Sequence, residues 1–188
     1  MAQANRPPAP PAPPAPKPWI LRDYTRCSGC RLCEIACTTT HEEGRIWPEA
    51  SRVRVFMTVP GLEVPHLCTQ CSNYPCVNSC PFKALSVNAQ TGAVIVDKEK
   101  CTACGICIKA CPGTIPHLHP NGKYVVICDL CGGDPECAKF CTQAGYQCLT
   151  KGTRTSSKSY DLYAKNPEEI IANLAVLLYG EKGEELIK

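Results

Sequence analysis

The cysteines of this chain fall into four groups whose internal spacing is nearly constant. The chain has 17 cysteines among 188 residues, and all but one belong to these groups. The first and third groups share the spacing C-x2-C-x2-C-x3-C, and the other two differ from it only in the gap before the third cysteine. The groups are Cys27, Cys30, Cys33 and Cys37; Cys68, Cys71, Cys76 and Cys80; Cys101, Cys104, Cys107 and Cys111; and Cys128, Cys131, Cys137 and Cys141.

Three chemistries compete for such thiols: disulfides, zinc and iron–sulfur clusters. An odd count fits disulfides poorly. The first residues contain no apolar stretch that would act as a signal peptide, so we expect a cytoplasmic protein with reduced thiols. Structural zinc normally takes two cysteine pairs separated by about a dozen residues or more. Each group here closes within eleven to fourteen residues, and proline follows Cys80 and Cys111. This pattern favours four [4Fe–4S] clusters.

The shape of such a cluster accounts for the spacing. Three closely spaced cysteines wrap a tight loop around three corners of a cube of iron and sulfide. We expect the fourth cysteine to begin a helix that leads to a neighbouring cluster. Cys148 belongs to no group; we expect a free structural thiol, and a role as an alternative ligand stays open. The four histidines need no metal role and are expected at the surface or in hydrogen bonds.

The formal charge of +3 does not indicate a nucleic-acid ligand, because it counts every thiol as neutral. A cluster with four thiolates carries about −2, so four clusters shift the net charge to about −5. The sequence has no nucleotide-binding glycine motif, P-loop or G-x-S-x-G motif. The longest apolar run, residues 170–179, is too short to span a membrane. We therefore expect an electron carrier that catalyses no reaction by itself.

The elements that must position the cysteines are short. Residues 52–59, 92–97 and 123–127 have strand-like composition, and residues 85–87 and 94–96 are expected to pair as a hairpin. No predicted strand is long, and loops dominate. The sequence therefore predicts an α+β fold of short strands and single helical turns.

Both ends of the chain differ from the cysteine-rich part. Residues 1–18 contain eight prolines and predict an extended polyproline II arm, which acts as a solvated spacer or as a docking strap for a partner; we prefer the spacer. Near the other end, Asn166 suits a helix N-cap, Pro167 the first helical position and Gly180 a stop. That helix either packs on its own domain or docks on another subunit.

With this order and spacing of groups, the chain resembles the four-cluster iron–sulfur subunits that accompany molybdenum and tungsten enzymes and hydrogenases, of which the iron–sulfur subunit of dimethyl sulfoxide reductase is the type. The resemblance covers about residues 20–150. It implies an α+β fold of two pseudo-symmetric two-cluster ferredoxin modules of the bacterial type, one nested in the other. The implied parts are an arm (1–18), an outer module (19–65 and 119–150), an inner module (66–118), and a linker with an amphipathic C-terminal helix (151–188).

The resemblance also implies which cysteines share a cluster. In that family the first group pairs with the fourth, and the second with the third. The implied ligand sets are Cys27, Cys30, Cys33 and Cys141; Cys37, Cys128, Cys131 and Cys137; Cys68, Cys71, Cys76 and Cys111; and Cys80, Cys101, Cys104 and Cys107. The chain departs from the family in its first and fourth groups, where Thr38 and Thr142 replace the usual proline after the last cysteine.

Within this family, residues 26–37, 41–44 and 51–55 are similar to a branch that accompanies tungsten-containing aldehyde oxidoreductases; related members sit with benzoyl-CoA reductases. The similarity implies a relay of single electrons between a catalytic tungsten- or molybdenum-pterin subunit and a flavin subunit that reduces NAD. Self-association into longer chains of clusters is also open. The alternatives are a freestanding polyferredoxin, a subunit of another molybdopterin, hydrogenase or benzoyl-CoA reductase complex, and a structural zinc protein.

Overall fold

The computed structural model describes residues 16–154 and 163–187. The polyproline prediction falls mostly on residues 1–15, which lie outside the described residues, while Lys17 and Pro18 already belong to the first strand. The strands are β1 (Lys17–Arg22), β2 (Val53–Val59), β3 (Leu62–Leu67), β4 (Leu85–Val87), β5 (Val94–Val96), β6 (His117–Leu118), β7 (Val125–Val126) and β8 (Leu149–Arg154). The helices are α1 (Leu32–His41), α2 (Pro75–Asn78), α3 (Ile106–Ala110), α4 (Glu136–Gln143), α5 (Pro167–Tyr179) and α6 (Glu181–Glu185).

The described strands form four antiparallel pairs: β1 with β8, β2 with β3, β4 with β5, and β6 with β7. The α+β class is confirmed, and so is the hairpin of residues 85–87 and 94–96. The strand predicted over 123–127 shrinks to Val125–Val126, because the backbone leaves the sheet to enter the fourth cysteine group. Two-stranded sheets are marginal by themselves in water, so these pairs depend on what packs between them.

The β1–β8 sheet joins the two ends of the cysteine-rich part of the chain. Its register pairs Lys17 with Arg154 and Arg22 with Leu149. Residues 151–154, which were expected to be linker, are therefore the second half of strand β8. The sheet holds the first and fourth cysteine groups at the same end of the molecule.

The helices give the cysteine groups a common framework. The third cysteine of every group is the second residue of a helix: Cys33 in α1, Cys76 in α2, Cys107 in α3 and Cys137 in α4. The expectation that the fourth cysteine begins a helix is therefore wrong. The helix starts earlier, because the loop that carries the first two cysteines turns directly into it.

The helix lengths explain why proline follows only two of the groups. Helices α1 and α4 continue past Cys37 and Cys141, and a proline in place of Thr38 or Thr142 would remove a hydrogen-bond donor there. Helices α2 and α3, by contrast, end before Cys80 and Cys111. The chain must turn away at those points, so proline is tolerated.

Helix α5 begins and ends where the sequence predicts. The side chain of Asn166 accepts a hydrogen bond from Glu169 N at 2.8 Å, and the helix stops at Gly180. Ile170 and Ile171 are buried against the β2–β3 hairpin, whereas Leu177 remains 77% exposed. The first half of the helix therefore packs on its own domain, and its second half presents apolar side chains to solvent. None of the described helices is long and apolar enough to cross a membrane.

This division of α5 gives a testable difference between two substitutions. Ile171 is fully buried, so Ile171→Ala should lower the free energy of opening of α5 by about 2–5 kcal/mol. Leu177→Ala removes a similar side chain from an exposed position and should change it by less than about 0.5 kcal/mol. Native-state hydrogen exchange of the α5 amides measures both values. Equal effects of the two substitutions would contradict the packing described here.

Candidate metal centre

The sixteen grouped cysteines line four cavities, four cysteines to each. The lining cysteines are Cys27, Cys30, Cys33 and Cys141 at site 1; Cys37, Cys128, Cys131 and Cys137 at site 2; Cys68, Cys71, Cys76 and Cys111 at site 3; and Cys80, Cys101, Cys104 and Cys107 at site 4. Each site thus takes three cysteines from one group and one from another. These are the same sets of four that the family resemblance assigns to clusters, and their binding of clusters stays a prediction.

The thiols are available as ligands. All seventeen cysteines lie within the described residues, and none of them forms a disulfide. Burial, together with the charges of Cys111 and Cys71 at the same site, raises the pKa of Cys76 to about 11. Burial likewise raises the pKa of Cys107 to about 11, again with contributions from cysteines of its own site. Four thiolates can share one such cavity only if a positively charged group lies between them.

The backbone of each group repeats one unusual conformation. The residue before the second cysteine has a positive φ in all four groups: Gly29 (69°), Gln70 (54°), Ala103 (55°) and Leu130 (59°). Only the first is a glycine, so three side chains adopt a conformation that costs free energy. Left-handed residues in such a loop turn neighbouring N–H groups toward one point, as at many iron–sulfur and phosphate sites.

Backbone N–H groups also reach the cysteine sulfurs directly. Arg52 N donates to Cys37 Sγ at 3.2 Å, and Leu149 N donates to Cys141 Sγ at 3.3 Å. Hydrogen bonds of this kind favour the thiolate over the thiol and tune the potential of a bound cluster.

Together these features fit [4Fe–4S] clusters better than zinc. Each donor set consists of sulfur alone, which suits both metals. Structural zinc, however, normally takes two cysteine pairs separated by about a dozen residues or more. Each site here takes three cysteines from one short loop and the fourth from another group, which is the pattern of paired [4Fe–4S] clusters.

The sites follow one another through shared elements. Helices α1 and α4 pack together, and each carries one cysteine of site 1 and one of site 2, four residues apart. Four residues of helix correspond to a rise of about 6 Å. Helices α2 and α3 also pack together. Each contains a cysteine of site 3 or site 4, and the cysteine of the other site follows four residues later, just beyond the end of the helix.

Gln70 connects the two pairs of sites. Its side-chain Nε2 donates to Cys128 O at 2.9 Å, and its backbone N donates to Cys68 Sγ at 3.5 Å. Gln70 is 3% exposed, so these hydrogen bonds are shielded from water. The order along the molecule is therefore site 1, site 2, site 3 and site 4. Of the sixteen cysteines only Cys30, at site 1, and Cys104, at site 4, are exposed, so the two ends of the series face solvent.

Cys148 is a fifth cysteine at site 1. It is 2% exposed and lines the same cavity as the four grouped cysteines. The neighbouring thiol of Cys148 lowers the pKa of Cys27 to about 7. Its position in the sequence, seven residues after the last group, gave no sign of this proximity.

The histidines make hydrogen bonds, as expected, but two of them are not at the surface. His66 is 4% exposed and bonds through Nε2 to Gly113 O at 2.8 Å; His119 is 3% exposed and meets Glu42 at 3.3 Å.

His41 lies beside site 2. Its Nε2 is 3.1 Å from Asp129 Oδ1, which also accepts from Cys131 N at 3.0 Å. Potential ligand atoms of His41, Asp129 and Cys131 lie within 4.8 Å of one another. Because Cys131 also lines site 2, this group supports the loop of that site.

Comparison with known proteins agrees with this chemistry. The chain matches the 4Fe-4S dicluster domain family over residues 59–154. It is 52% identical to the polyferredoxin-like subunit of an aliphatic sulfonate oxidoreductase from Pyrococcus furiosus, over 87% of this chain and 94% of that protein. It is 33% identical to the thiosulfate reductase electron transfer subunit PhsB of Salmonella typhi, over 65% of this chain and 70% of that protein. It is 32% identical to a subunit of polysulfide reductase from Wolinella succinogenes, over 74% of this chain and 78% of that protein.

Proposed function

Because this chain belongs to the 4Fe-4S dicluster family, we propose that each of its four cysteine-lined sites holds one [4Fe–4S] cluster. The chain is an iron–sulfur electron-transfer subunit of an oxidoreductase complex and is not a catalyst by itself. The observation that supports the proposal most strongly is the fourfold arrangement of four thiols around a cavity with one repeated backbone conformation. The sixteen cysteines of sites 1 to 4 are the proposed ligands.

The proposed ligand sets correspond to two nested modules. Sites 1 and 2 form the outer module, built on α1 and α4, and sites 3 and 4 form the inner module, built on α2 and α3. The pairing is supported by the helix contacts and by the four-residue separation of the cysteines on each helix.

A bound [4Fe–4S] cluster supplies reversible one-electron chemistry. The protein contributes the spacing between sites, the burial of sites 2 and 3, and exposure at both ends. Beside Cys104, the side chains of Phe82 and Ile106 are 48% and 42% exposed; at site 1 Tyr146 is 39% exposed. These apolar surfaces next to the end sites suit the docking of electron-donating and electron-accepting partners.

We place a catalytic subunit with a tungsten or molybdenum pterin at one end and a flavin subunit that reduces NAD at the other. Two substrate classes have support. Similarity to the tungsten-enzyme branch favours an aldehyde, and the name of the 52% identical relative favours an aliphatic sulfonate. The test is to purify the native complex, identify its subunits, and assay the reduction of a dye with each substrate. The substrate that supports dye reduction decides between an aldehyde and an aliphatic sulfonate. Recovery of the chain alone, at monomer mass, would favour a freestanding polyferredoxin.

The metal content tests the proposal directly. Anaerobically prepared protein should contain about sixteen irons and sixteen acid-labile sulfides per chain, and reduction should produce paramagnetic signals of interacting clusters. Iron and sulfide analysis with electron paramagnetic resonance measures these quantities. Colourless protein with about four zinc ions per chain would instead support a structural zinc protein.

A further inference from the structure

Arg22 is a buried cation beside the loop of site 3. Arg22 is the last residue of β1 and is 6% exposed. Its Nη2 donates to Cys68 O at 2.8 Å. Its other two guanidinium nitrogens, Nε and Nη1, are buried and form no hydrogen bond with any residue that the structure describes. A guanidinium is charged under all ordinary conditions, so this position holds a permanent positive charge.

Within the described residues 16–154 and 163–187, the charge of Arg22 has no acidic partner. Among the residues that the structure describes, no carboxylate forms a salt bridge with it. Its guanidinium carbon lies 4.8 Å from the ring centroid of Tyr163 and 6.0 Å from that of Trp19. Aromatic faces attract a cation but do not replace a counter-charge. A buried charge of this kind requires an anionic group nearby.

The loop of site 3 is held by the sheet to which Arg22 belongs. Three successive carbonyls of that loop accept hydrogen bonds from side chains of β1 and β8. Cys68 O accepts from Arg22, Thr69 O accepts from Trp19 Nε1 at 3.0 Å, and Gln70 O accepts from Arg154 Nη1. Since all three acceptors are in the loop that carries two site 3 cysteines, the guanidinium is fixed relative to site 3 rather than free to move toward water.

We propose that Arg22 is the counter-charge of the cluster at site 3 and that it raises the reduction potential of that cluster. The inference rests on the proposed function, because it requires a cluster bound by Cys68, Cys71, Cys76 and Cys111. A cluster with four thiolates is anionic and becomes more so on reduction. A fixed positive charge close to it stabilises the reduced form, and burial keeps water from screening the interaction. Arg22 therefore acts through position and charge, without binding the metal.

The test compares Arg22→Gln, Arg22→Lys and the wild type in redox titrations followed by electron paramagnetic resonance. In Arg22→Gln the ratio of reduced to oxidised cluster at a fixed potential should fall at least about tenfold, or about 59 mV, for one cluster. The other three clusters should keep their potentials. Arg22→Lys retains the charge and should change this ratio by less than about threefold, which corresponds to less than about half of the 59 mV shift. Arg45→Gln removes an equal charge from a side chain that is 66% exposed, and should change none of the four.

Each outcome has a definite meaning. Unchanged potentials in Arg22→Gln with all irons retained would overturn the inference. If Arg22→Gln loses one cluster, retention of that cluster in Arg22→Lys supports the counter-charge. Loss in both variants would show that the shape of arginine, not its charge, is what matters, and would also overturn it. A wild-type protein with far fewer than about sixteen irons would instead refute the proposed function itself.

Discussion

Removal of the iron is expected to unfold this protein. Among the residues that the structure describes, the larger of two buried groups of apolar side chains contains 22 residues, and nine of these are cysteines that line the four sites. Without a group in the cavities those thiols would face empty space, and the loss of packing contacts would be spread over the whole core. The two-stranded sheets cannot supply the missing stability. The left-handed Gln70, Ala103 and Leu130 would also keep their backbone strain with no bound group to favour that conformation.

The second buried cluster is too small to remain folded alone. It contains six buried residues from β2, β3 and α5, and no cysteine. We therefore expect the apo-protein to lose its cooperative thermal transition and most of its far-ultraviolet circular dichroism. The measurement uses protein treated anaerobically with an iron chelator. Reconstitution with iron and sulfide should restore both signals, which controls for chemical damage. An apo-protein with a cooperative transition close to that of the holoprotein would contradict this account of the core.

The sequence predicted the features that depend on local rules. The α+β class, the hairpin of β4 and β5, and both ends of α5 follow from turn residues, capping residues and apolar spacing within a few positions of one another. Asn166 and Gly180 are examples in which one residue type is strongly preferred by one backbone position. The cysteine spacing was equally informative, because a cluster imposes its own dimensions on a short loop.

Other features depend on contacts between distant residues and gave little signal. In the sequence, Arg22 is a polar residue at the end of an apolar strand. No residue near it in the sequence indicates that its side chain contacts Cys68, 46 positions away. Gln70 and Leu130 are not residue types that suggest a positive φ, so only Gly29 among the four equivalent positions carried a hint of the loop conformation. The placement of Cys148 at site 1 follows from β8 pairing with β1, which local patterns did not predict.

The membership of site 1 offers the sharpest test of the nested arrangement. Cys141 lines site 1 with Cys27, Cys30 and Cys33, although more than one hundred positions separate it from them. Cys141→Ser should therefore cost the protein about four of its sixteen irons. The clusters at sites 3 and 4 should keep their signals, because neither site is lined by a residue of α4. Metal analysis and electron paramagnetic resonance of the purified variant measure both results.

Cys148→Ser is the matched control, because it makes the same atomic change in a cysteine that lines the same cavity. If Cys148 is a neighbour rather than a ligand, this variant keeps all its iron. The potential of one cluster should then change, since the thiol that adjoins Cys27 at site 1 is replaced by a hydroxyl group. If Cys148→Ser lost iron while Cys141→Ser kept all of it, Cys148 would be the fourth ligand of site 1 and Cys141 its neighbour. Loss of the signals of sites 3 and 4 in Cys141→Ser would refute the nesting, because α4 supplies its cysteines to sites 1 and 2.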